Sequence, residues 1–190
     1  MKRSLIALAL AAVLPLSAQA GELNYNYVEA NYLSSDFLDV TLDGYAVKGS
    51  VAFSDNWYAS ASYRDVSKDG GSLDETVVSL GWRHALSDKS DFLAEVGYVD
   101  VGVDAGEFGS ASEDGYRVAA GLRGKIAPKF EAGIKGYYTD LGGESDGEFG
   151  VVVDGQYNIN ATWGITASYD STQMFDETIG TWGIGVRASF

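Results

Sequence analysis

The chain has 190 residues, a net charge of −14, 46% hydrophobic side chains, 24 glycines, 12 tyrosines, 2 prolines, one histidine and no cysteine. One domain suits that length, and the apolar share is too high for a disordered chain. The lack of cysteine excludes a disulfide framework, thiol-ligated zinc, thiol catalysis and a lipid-anchored cysteine, and the acidic balance leaves no broad basic surface for nucleic acid.

The chain opens with Lys2 and Arg3, an apolar run from Leu5 to Leu16, and Ser17-Ala18-Gln19-Ala20. Small residues three and one before Gly21 form a signal-peptidase site. The run is shorter than the roughly 20 residues a spanning helix needs. A cleaved signal peptide over 1–20 is expected, with the mature domain over 21–190 exported. Loss of Lys2 and Arg3 leaves 11 basic against 27 acidic side chains, a net charge of −16.

From there on, large apolar residues alternate with small or polar ones, the period of a β-strand. Tyr45, Val47, Gly49, Val51 and Phe53 fall on one face; Ala46, Lys48, Ser50 and Ala52 fall on the other. Ten such runs are predicted, at 23–33, 44–53, 57–65, 75–86, 92–101, 115–126, 130–140, 148–157, 161–170 and 180–190. Each is about nine to twelve residues long, the length of a tilted membrane-crossing strand. Short connections (54–56, 87–91, 127–129, 158–160) alternate with long ones (34–43, 66–74, 102–114, 141–147, 171–179). An up-and-down sheet would place the long loops on one rim, with the short turns and both termini on the other. Pro128, the one proline after residue 20, falls in a short turn, where its missing N–H harms no ladder.

The apolar face carries aromatics at two levels: Tyr45/Phe53, Trp57/Tyr63, Phe92/Tyr98, Phe130/Tyr138, Phe149/Tyr157, Trp163/Tyr169 and Trp182/Phe190. At about 3.3 Å per residue and a tilt near 40°, they bracket a band of roughly 15–20 Å. No charge lies between them on that face, where lipid would penalise one by about 2–4 kcal/mol at the midplane. The opposite face is rich in glycine and serine, as a narrow lumen requires. The expected fold is all-β: a closed antiparallel up-and-down transmembrane barrel of ten strands. Eight strands with one hairpin folded outside is the alternative.

The chain ends on alternating Trp182, Ile184, Val186 and a final Phe190, which resembles the C-terminal signal read by the barrel-assembly machinery of Gram-negative outer membranes. The whole mature chain resembles small outer-membrane β-barrels of proteobacteria. More narrowly, Asn24-Tyr25-Asn26-Tyr27-Val28-Glu29 and the Gly44–Phe53 strand with Lys48 resemble the family named for activating rice XA21-mediated immunity. The resemblance implies an outer-membrane location and brings no catalytic residues.

Alternation turns Lys48, Arg64, Arg83, Arg117, Arg123, Lys125, Lys135 and Arg187 inward, with Glu29, Glu75, Glu95, Glu131, Asp154 and Asp170. Two readings stay open: a paired network filling the lumen, or a narrow passive channel favouring small anions. The long connections collect acid, including Asp36, Asp39, Asp43, Asp74, Asp104, Glu107, Glu113 and Asp114, without the ligand spacing of an EF-hand. No metal, tight calcium site or other cofactor is expected. His84 is the one imidazole and falls beside Trp82 on the lipid face, so histidine-based catalysis is not expected and the chain reads as a non-enzyme. Expected partners are outer-membrane lipid and lipopolysaccharide, and the assembly machinery during insertion. The protein is expected to be a monomer that binds no nucleic acid, with its long loops at the cell surface.

Overall fold

Ten strands follow one another along the chain: β1 Tyr27–Phe37, β2 Val40–Ala52, β3 Trp57–Lys68, β4 Gly71–Ser87, β5 Ser90–Asp104, β6 Ser110–Ala127, β7 Phe130–Asp140, β8 Glu148–Asn158, β9 Trp163–Met174 and β10 Glu177–Ser189. This is a computed structural model, and it describes residues 23–37, 40–68, 70–142, 147–174 and 177–190. The expected signal peptide and its cleavage site lie outside those residues. Each strand pairs antiparallel with its neighbours in the chain, and β1 pairs with β10 from Tyr27↔Ser189 to Asp36↔Gly180. The sheet is thus a closed ring of ten with no free edge. No hairpin is left outside it, so the eight-stranded alternative does not hold.

Pairing follows the predicted alternation. Val78, Leu80, Val96, Val118, Ile134, Val153, Ile165 and Ile184 face outward with about half their surface open. Aromatic rings meet at two outward levels, Tyr45–Tyr63, Tyr138–Phe149 and Tyr169–Trp182 toward the rim of the β1–β2 and β5–β6 hairpins, and Trp82–Phe92 and Phe130–Tyr157 toward the opposite rim, which carries residues 23–26 and Phe190. An apolar exterior between aromatic girdles is the surface of a barrel that sits in lipid.

Three expectations are corrected. The long loops are largely strand: β5 and β6 have 15 and 18 residues and are joined through a 3₁₀ turn at Gly106–Phe108. Beyond the girdle the outer face meets water, so its apolar row gives way to acids while backbone pairing continues, and the inner face keeps apolar side chains such as Val66 and Leu73. Several acids expected in loops therefore stand on strands. Asp43 and Asp74 face outward with Asp65, Asp100 and Asp140 just past the tyrosine level, and the Tyr32 and Tyr116 hydroxyls donate to Asp43 and Asp140 at 2.6 and 3.3 Å. Second, residues 23–26 are not strand but a strap across the terminal rim. Third, Phe190 is only 9% exposed, against 62% for Trp182 and 60% for Ile184. Its backbone N–H donates to the Asn26 carbonyl at 3.0 Å, which ties the chain end to the strap.

Two inward tyrosines explain part of the glycine content. Tyr58 stands directly opposite Gly81, and Tyr137 directly opposite Gly150. A Cβ added at either glycine would sit inside the neighbouring ring. Gly81→Val is expected to displace the Tyr58 ring and lower stability by about 1–3 kcal/mol, the range of core overpacking. The urea midpoint of tryptophan fluorescence in the refolded protein checks this.

Candidate functional site

Strand alternation and closure put the predicted charged set inside the barrel, where it is stacked in layers. Nearest the rim that carries Phe190, the strap inserts Tyr25, 4% exposed, packed with Leu23, Tyr58 and Leu93. Its ring lies between the guanidinium groups of Arg83 and Arg123, 4.6 and 4.9 Å from the centroid, and its hydroxyl donates to Asp91 at 2.8 Å. Arg83 pairs with Asp91 at 3.3 Å and Arg123 with Glu131 at 2.7 Å. Arg123 also donates to the Asn24 carbonyl at 3.0 Å, holding the strap from the barrel wall.

The next layer is built on Glu29 and Glu95. Arg187 bonds Glu29 at 2.5 Å and donates to Gln156 at 2.7 Å, while Lys48 lies 3.8 Å from Glu29. Lys135 pairs with Glu95 at 2.7 Å, and the Tyr58 hydroxyl donates to the same carboxylate at 2.7 Å. Above them, Glu75 accepts from Arg117 at 2.6 Å and from Arg64 at 3.3 Å. Arg64 also lies 4.0 Å from Asp170, which takes a 2.7 Å bond from the Tyr137 hydroxyl. The Arg117 guanidinium covers the Tyr137 ring at 4.5 Å. Between these layers are spaces of about 160 and 70 Å³.

The structure brings Lys48, Arg64, Arg83, Glu95, Arg117, Arg123, Glu131, Lys135 and Arg187 into ion pairs. Asp154 stands beside Gly133 and lines the smaller space with Lys135 and Arg187, but makes no ion pair or hydrogen bond among the described residues. Lys125 is in register with Glu131 at a bulge and likewise forms no ion pair among them. Of the terminal signal residues, Trp182, Ile184 and Val186 face outward and Phe190 does not.

Sequence reasoning missed Asp91 and Glu148. Asp91 was expected in a turn, yet it continues the inward row 91, 93, 95, 97 and is 5% exposed. With both included, eight inward acids face eight inward bases, and the basic excess expected of the interior disappears. Closed walls favour that balance, because an enclosed excess of one charge is costly. His84 is exposed on the outer face and stacked on Trp82, with 5.6 Å between centroids and 9° between planes. The described residues include no grouping of three or more His, Asp or Glu able to hold a metal ion.

These features define a closed antiparallel barrel of the outer-membrane type with a lumen crossed by side chains. Among solved structures, the fold is similar to the KdgM porin in complex with disordered oligogalacturonate, at 11% identity and a TM-score of 0.50, covering 86% of this chain and 99% of that one. Matches also include Ail, the attachment invasion locus protein of Yersinia pestis (17% identity, 86% of this chain, 95% of that one, TM-score 0.43). Another is the N-terminal barrel domain of Pseudomonas aeruginosa OprF (11% identity, 88% of this chain, 100% of that one, TM-score 0.43). No protein-family model and no curated protein matches the chain.

Proposed function

We propose that the protein is a non-conducting, non-enzymatic barrel of the Gram-negative outer membrane, with a structural or surface-interaction role. Its hairpin rim faces outside the cell. The observation that carries this is the lumen filling: the strap, the Glu29–Arg187 and Glu95–Lys135 layer, and the Glu75 cluster succeed one another along the axis. Side chains fill the bore of eight-stranded barrels and porins of sixteen or more strands leave a channel, so ten strands lie nearer the filled end. The small-anion channel is disfavoured by the inward charge balance, since a pore selecting anions needs unpaired cations along its wall.

Outward of the membrane the β5–β6 hairpin, with strands of 15 and 18 residues, offers a surface for contact. The partners of this reading are membrane lipid and lipopolysaccharide around a monomer, and the assembly machinery during insertion, with Trp182, Ile184, Val186 and Phe190 as its signal. Export through a signal peptide at 1–20 belongs to the same reading. Membership of the family named for activating rice XA21-mediated immunity rests on Asn24–Glu29 and Gly44–Phe53 alone, and no signalling role comes with it. Liposome swelling tests the proposal: vesicles holding the refolded protein should swell in acetate and in a small sugar no faster than empty ones. Swelling that is faster in acetate would establish the channel instead.

A further inference from the structure

Above the Glu75 cluster lies a cavity of about 320 Å³, at the low end of the size of small-molecule sites. Its walls are the inward side chains of the strand extensions: Leu42, Val66, Leu73, Val101, Val103 and Ile179. Leu73 lies directly across from Val66 on β3 and from Val103 on β5, so the wall is continuous over three strands. An apolar lining at a hydrated barrel end has no role in lipid contact, and the extensions expected as polar loops gave no sign of it.

The floor of the cavity is charged, and its cations are already engaged. Arg117 uses Nη1 and Nη2 on Glu75 and Nε on Thr139 at 2.8 Å. Arg64 shares Glu75 and lies against Asp170, leaving only its Nε buried and without a bond partner. Two carboxylates on the cavity lining have no cation partner among the described residues. They are Glu148, half-buried in the wall, and Asp104 at the rim. The lining therefore holds three acids against two arginines, with both arginines paired. An apolar pocket with a carboxylate left over suits a ligand that has a short aliphatic body and one positive charge.

We infer that this cavity binds a small amphipathic cation of the aliphatic-amine class, with its alkyl chain against Leu73 and Val103 and its ammonium on Glu148. The inference goes beyond the non-conducting barrel and does not need it: the cavity lies above the charged floor whether or not ions leak through below.

Refolded protein in zwitterionic phosphatidylcholine nanodiscs is titrated with hexylammonium, hexanol and hexanoate at neutral pH, with empty nanodiscs as the blank. Hexylammonium should bind about tenfold more tightly than hexanol, the factor that 1.4 kcal/mol supplies, and hexanoate more weakly than either. Glu148→Gln should remove the preference for the amine while leaving hexanol binding intact. Val103→Trp, beyond the lipid-facing band, should fill the space and abolish binding of all three, with heat-modifiable gel migration confirming that each variant folds. Hexanoate binding as well as or better than hexylammonium would overturn the inference and point to the Arg64 Nε. So would equal binding of the amine and the alcohol, an undiminished preference in Glu148→Gln, or no binding above the nanodisc blank.

Discussion

Glu75→Leu is expected to cost about 3–5 kcal/mol, the range for breaking a buried ion pair from one side. The carboxylate is 8% exposed and accepts from two arginines, so the substitution leaves Arg117 without an acid partner among the described residues and Arg64 with Asp170 alone, at 4.0 Å. Replacing all three charges with apolar residues of similar volume should recover much of the loss, because no charge is then left unpaired. Urea unfolding in phosphatidylcholine vesicles, followed by tryptophan fluorescence, measures both variants. Asp104→Asn at the exposed rim, expected within about 0.5 kcal/mol of the parent protein, is the control. A Glu75→Leu protein as stable as the parent would mean that the arginines reach water, and so that the lumen is wet at this level.

Tyr25→Ala is the second large effect. The ring is buried, sits between two guanidinium groups and bonds Asp91. Truncation of a buried aromatic costs about 3–5 kcal/mol. The strap would then be held by bonds of Asn24 to Arg123 and Phe190 and of Asn26 to Ala52 and Phe190, and proteolysis within residues 23–26 should become faster. Conductance should stay absent all the same, since the Glu29 and Glu95 layer lies deeper in the barrel. Protease protection equal to that of the parent would show that Tyr25 is not what anchors the strap.

Strand number, direction and facing were legible in the sequence because lipid outside and a narrow lumen inside impose opposite demands on alternate residues. Val78 and Ser79, or Ile184 and Gly185, could not exchange places. The same register put Arg117, Arg123 and Lys135 on the inner face with Glu75, Glu131 and Glu95, but which carboxylate each base meets depends on strand stagger and was not legible. Strand ends were less legible. Past the tyrosine girdle Asp65, Ser67 and Asp74 break the outward apolar row, while cross-strand pairing and the inward packing of Val66 and Leu73 keep the strands extended. Residues 42, 66, 73 and 103 were lost with those extensions, and with them the apolar cavity. The strap was hidden for another reason. Leu23, Tyr25 and Tyr27 alternate like strand residues, but 23–26 lie beyond the last pairing of β1 and turn across the opening. Phe190 followed the strap inward instead of joining the girdle.

Single-channel recording of the refolded protein in a planar bilayer tests the filled lumen most directly. At molar potassium chloride the bilayer should hold its baseline current, with no steps attributable to the barrel, across both polarities. Steady, reproducible conductance steps with anion selectivity would contradict the account.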